Sequence, residues 1–107
     1  MNEKMLLLDA NPTFEVKGVS IPRPGKAPFQ IDVVFHFHEA EAYVQMAREM
    51  ADRPLLALLE KLVAGWERVA ESYSAEALGR MCRTYPKAAR TLLRAFEREL
   101  YEIEEKN

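Results

Sequence analysis

The strongest constraint on the fold is an alternation: Phe29, Ile31, Val33, Phe35 and Phe37 are interleaved with Gln30, Asp32, Val34, His36 and His38. Residues two apart on a strand share a face, so this segment has one apolar, aromatic face and one mostly polar face. Such a strand needs a partner in the sheet and a cover for its apolar face. The partner is the preceding "TFEVKGVSIP", in which Phe14 and Val16 share a face. Val19 and Ile21 join that face only if Gly18 inserts an extra residue, and glycine suits a bulge of this kind. Between the strands, "PRPGKAP" carries three prolines and a glycine, which predicts a turn of some length without ladder pairing. A two-stranded hairpin is marginal alone, so its aromatic face is expected to pack on helices.

From Glu39 the apolar period changes from two to about 3.6. Ala40, Tyr43, Val44, Ala47, Met50 and Ala51 form one stripe, ended by Asp52-Arg53-Pro54. Pro54 can open a second helix, carrying Leu55, Leu58, Leu59, Leu62, Val63 and Trp66, with Gly65 as a left-handed cap. After the polar "ERVAESYS", Ser74 is the expected N-cap of "AEALGRMC". The last helix opens at Pro86 and aligns Ala89, Leu92, Leu93, Phe96, Leu100 and Ile103. The expected fold is α+β: an N-terminal two-stranded hairpin (13–38), then about four helices (39–107) packed on one side, in a single domain of residues 1–107. Leu6 to Leu8, Val34, Met46, Val69 and Tyr101 fall off these stripes, and several of them together would mark an interaction surface.

The 107 residues are 49% hydrophobic and 30% charged, the balance of a folded soluble chain. A net charge of -2 gives no general reason for nucleic acid or an anionic membrane. Met5 to Leu8 are stopped by Asp9, too short a run to span a bilayer or serve as a secretory signal. The single cysteine, Cys82, cannot form an internal disulfide, which places the expected compartment in a reducing cytoplasm.

Asp32, His36 and His38 share a strand face and include a recognised metal-ligand set. Asp32 and His36, however, stand about 13 Å apart along a straight strand, too far to share one ion. Both imidazoles are expected to face water, and no metal or cofactor site is assigned. Cys82 lies near Arg80 and Arg83 but also on an apolar stripe with Leu78, the pattern of a buried thiol rather than a nucleophile. The glycines are scattered, no carboxylate pair is set up for acid–base work, and no catalytic constellation is expected.

Arg80, Arg83, Lys87, Arg90, Arg94 and Arg98 recur every three or four residues with only Glu97 against them, and Pro86 divides the row into two segments. Such a row is a solvated face, a site for an acidic protein partner or a phosphate track. Interleaved aromatics for base stacking are missing, and Glu99, Glu102, Glu104 and Glu105 follow at once, which puts nucleic acid last among the three. The candidate partner-binding residues are therefore Arg83, Lys87, Arg90, Arg94 and Arg98.

In order, "FEVKGVSIPRPGKAPFQIDVVFHFH", "LVAGWERV" and "SAEALGRMCRTYPKAARTLLRAFERELYEIEEKN" resemble the tail assembly chaperones of long-tailed bacteriophages. Gly65-Trp66 matches the family's Gly-Trp after a leucine-rich helix, and Tyr85-Pro86-Lys87-Ala88-Ala89-Arg90 its start of the final helix. The resemblance runs from about Thr13 to Asn107 and leaves out the amino end and "ERVAESY". It implies a non-enzymatic protein of the host cytoplasm, absent from the mature virion. That protein would keep the tape measure protein soluble and help tail protein assemble around it, alone or as a homo-oligomer. It also implies a longer frameshifted product: Glu105-Lys106-Asn107 can be encoded with the slippery heptamer A AAA AAC. The alternative is a small nucleic-acid-binding or regulatory protein using the basic row.

Overall fold

Two long strands, β1 (Thr13–Arg23) and β2 (Lys26–His36), form the expected antiparallel hairpin. The computed structural model describes residues 12–106, with side chains as far as residue 102; Leu6 to Leu8 and the side chain of Ile103 lie outside the described residues. Val16 pairs with Val33 and Val19 with Ile31, so β1 spends one more residue than β2 across the same interval. The extra residue falls at Gly18, whose φ of +69° is readily adopted only by glycine. Its N–H donates to the Asp32 carboxylate at 3.0 Å, which fixes the bulge from across the ladder. Val19 and Ile21 are thereby returned to the buried face.

The turn is shorter than the proline run suggests. Pairing continues to Arg23 opposite Lys26, so only Pro24 and Gly25 are left to reverse the chain, with Gly25 at a φ of +68°. Pro22 is tolerated because β1 is an outer strand. Pro28 is tolerated because the register slips between Ile21 and Arg23, giving β2 its own extra residue there.

The sheet has a third strand, which corrects the two-stranded expectation. α2 (Leu55–Leu62) passes directly into β3 (Val63–Glu67), which pairs antiparallel with Asp32–Phe35 and makes the order β1-β2-β3. Val63 and Trp66 thus belong to a strand rather than to the helix, and Gly65 stands opposite Val34 instead of capping. The reason lies in β2. Val33 and Phe35 are fully buried, and buried backbone groups must find hydrogen-bond partners. Trp66 then anchors the following loop: its ring lies edge-on to Tyr73 at 5.0 Å, and its Nε1–H donates to the Glu71 carbonyl at 2.8 Å.

Among the described residues four helices, α1 (Ala40–Glu49), α2, α3 (Ala75–Thr84) and α4 (Ala88–Lys106), supply the cover. Val19, Ile21, Ile31, Val33 and Phe35 meet Tyr43, Leu58, Leu59, Leu62, Leu78, Leu92, Phe96 and Leu100 in one core. α1 is narrower than its stripe: Tyr43 and Met50 are buried and Met46 packs on the core, whereas Val44 and Ala51 are exposed. Ser74 caps α3, accepting the Ala77 N–H at 3.0 Å. Pro86 lies in the turn before α4, which starts two residues later at Ala88.

Candidate functional site

The two histidines occupy different settings. His36 ends β2 opposite Thr13, and the chain then turns, the Phe37 N–H donating to the Pro12 carbonyl at 2.8 Å. The alternation is lost before His38, whose ring packs edge-on at 6.4 Å from Phe96 with Nε2 buried and without a hydrogen-bond partner among the described residues. His38 is therefore only partly exposed, with Nε2 shut off from water, contrary to the expectation that its imidazole faces solvent. Asp32 is engaged by the Gly18 N–H and lies 3.8 Å from Arg68. Among the described residues, no three of His, Cys, Asp and Glu come together as metal ligands. Burial pushes the Cys82 thiol up, outweighing the nearby Arg83, which is the wrong direction for a nucleophile at neutral pH.

Every member of the basic row is exposed. Arg80 and Arg83 stand on α3, Lys87 in the turn after it, and Arg90, Arg94 and Arg98 four residues apart on α4, so the last three share a helix face. Arg80 is paired with Glu71. Arg83, Lys87, Arg90, Arg94 and Arg98 have no carboxylate partner among the described residues.

Glu97, the only acid within the row, turns inward instead. Its Oε2 accepts the Tyr43 O–H at 2.6 Å, tying α4 to α1. Burial first, then the hydrogen bond and charge of Glu97, push the Tyr43 phenol well above its ordinary value. In the unfolded chain that phenol ionises near its ordinary value, about 10. Below that pH both states keep the proton and the stabilisation is complete. Above it only the unfolded chain loses the proton, so stability falls as pH rises, by up to about 1.4 kcal/mol per pH unit. Tyr43→Phe is expected to cost roughly 1–2 kcal/mol at pH 7 through the lost bond, yet to flatten the decline above pH 10. Urea midpoints between pH 8 and 11 measure both effects; an unchanged decline would assign it to another group.

The site acquires a residue from a distant part of the sequence. α4 runs alongside β1, and a cleft of about 420 Å³ between them is lined by Lys17, Gly18 and Ser20 on one side and Thr91, Arg94, Arg98 and Glu99 on the other. Lys17 thus joins Arg94 and Arg98, three cations against one carboxylate, with two hydroxyls nearby. Nothing in the spacing of α4 points to Lys17; its only local signal is the adjoining Gly18 bulge. These groups can hold carboxylate or phosphate oxygens.

No helix among the described residues is long and apolar enough to cross a membrane. The family model described as "Phage tail assembly chaperone" matches residues 1–107, which takes in both the amino end and the "ERVAESY" loop left out of the motif resemblance. No curated protein and no solved structure matches the chain.

Proposed function

We propose, for a chain that belongs to the phage tail assembly chaperone family, a non-enzymatic role in the host cytoplasm: binding the tape measure protein before the tail tube forms around it. The family match over residues 1–107 carries this reading. The exposed cations from Arg83 to Arg98 support it physically, because without carboxylate partners among the described residues they are free to meet acidic groups of a partner protein. A long helical tape measure exposes apolar stripes until its tube assembles, and a small chaperone relieves that exposure by covering them. Major tail protein and a longer frameshifted form of this chain are further partners in the proposal. The gene sequence tests the frameshifted form: a slippery A AAA AAY over the last codons with an open overlapping frame supports it, and absence of either removes it.

Co-expression with the tape measure protein of the same phage tests the role. The tape measure protein is expected to move from the insoluble to the soluble fraction and to copurify with this chain. If it stays insoluble with and without the chain, the proposed role is wrong. The exposed row also suits phosphates, and that second reading predicts affinity for duplex DNA that falls steeply with salt.

A further inference from the structure

Val69, one of the apolar residues that the helical stripes leave unexplained, lies near the tip of the hairpin beside Phe29. β3 stops at Glu67, opposite Asp32, so it does not reach the part of β2 that carries Phe29. At Arg68 the backbone takes a φ of +69°, unusual for a residue with a side chain, and such outliers concentrate at ligand clamps and switch regions. The gap left beside the sheet is an apolar notch of about 250 Å³ walled by Ile21, Phe29, Ile31, Val69, Met81 and Tyr85.

Phe29 is 42% exposed, yet its ring is held in place. Tyr85 meets it edge-on at 5.8 Å, and the Arg23 guanidinium lies 3.9 Å over its face. Arg23 is itself anchored, its Nε–H donating to the Ala27 carbonyl at 2.7 Å. An aromatic side chain fixed before binding loses little entropy on contact, and aromatics, methionine and arginine are enriched at protein interfaces.

The charged residues that line the notch and its neighbour are cations. Arg68 stands in the wall, with only a long 3.8 Å contact to Asp32 behind it, and Arg23 lines an adjoining notch formed with Pro22, Pro24, Pro86 and Lys87. These two linings contain three cations and no carboxylate, in a chain with 17 acidic and 15 basic residues. Lys87 continues into the row of Arg90, Arg94 and Arg98 along α4.

We propose that this notch receives a leucine or phenylalanine side chain from an acidic segment of a partner protein, with Arg23, Arg68 and Lys87 holding the flanking carboxylates. This assignment rests on the chaperone reading and gives its partner a chemistry: apolar anchors between acids. Single-stranded nucleic acid fits less well. The walls are mostly aliphatic, and Arg23 already covers one face of Phe29, which leaves little open ring surface for stacking bases.

The test is an NMR titration of the full chain with a synthetic peptide carrying leucine and phenylalanine between runs of glutamate. Signals of Ile31, Val69, Met81 and Tyr85 are expected to move, and a peptide with lysine in place of glutamate should bind at least about tenfold more weakly. Phe29→Ser and, separately, Arg68→Glu should each weaken the acidic peptide by about tenfold or more. Arg68→Glu keeps most of the apolar wall, so it serves even if Phe29→Ser disturbs the fold. Movement confined to α4, equal binding of the lysine peptide, tighter binding of an oligonucleotide, or no movement at millimolar peptide would each overturn the assignment. Co-expression separates it from the broader role. If the wild type solubilises the tape measure protein and both variants do so equally well, the docking site is wrong and the chaperone role stands. If the wild type fails there, the role is wrong, and the titration still decides the notch.

Discussion

Phe96→Asp is expected to abolish cooperative folding. Phe96 is fully buried, and its ring lies 5.8 Å from Phe14, 5.5 Å from Phe35 and 5.1 Å from Tyr43. One side chain therefore joins α4 to β1, β2 and α1. Truncating such a residue to alanine costs about 3–5 kcal/mol through lost transfer energy and the cavity left behind. Aspartate adds a carboxyl group with no partner prepared for it, which either stays charged at high cost or takes up a proton at lower cost. A domain of this size is stable by only about 5–15 kcal/mol, so the sum consumes most or all of that margin. Far-UV circular dichroism and urea titration of the variant measure the outcome. Leu93→Asp is the control. Leu93 lies on the same helix but is only partly buried, so its carboxylate can reach water. That variant is expected to fold with a lowered midpoint, whereas a folded, cooperative Phe96→Asp protein would displace Phe96 from the centre of the core.

The hairpin and α4 are legible in the sequence because each carries a long, single-period pattern. Ser74 and Gly18 are legible because an N-cap and a bulge are local devices with local signatures. β3 is hidden by a coincidence of spacing: Leu62, Val63 and Trp66 continue a helical stripe as well as they begin a short strand. What decides the matter is the open edge of β2 some thirty residues earlier, a tertiary demand that no local window contains. Glu97 is misread for a similar reason. Its neighbours in sequence are arginines, but its partner is Tyr43, brought to it by the packing of α1 on α4. The site shows the same division. The cations of α4 announce themselves by their period, while Lys17 and the Phe29 notch exist only after β1 and α4 lie side by side and β3 stops short.

Reversing Arg94 and Arg98 together to glutamate is expected to weaken the proposed complex with the tape measure protein by about ten- to a hundredfold. The fold should be unaffected, because both side chains are exposed and surface changes of this kind usually fall within about 0.5 kcal/mol. The expected loss is large because the substitutions do more than remove two attractions. Lys17 would face two new acids beside Glu99, turning the cleft from cationic to anionic. The salt dependence of wild-type binding then identifies the class of partner. If duplex DNA were the ligand, the five cations from Arg83 to Arg98 could each displace a condensed counterion, giving a log–log slope approaching about -4.5. An acidic protein segment has no condensed counterion layer, and its apolar anchors are insensitive to screening, so its slope is expected to be much shallower. Pull-down of the tape measure protein by wild-type and doubly reversed chains, at 50 and 200 mM salt, reads both quantities. Undiminished capture by the reversed chain would remove the α4 row from the binding surface and leave the Phe29 notch to carry it alone.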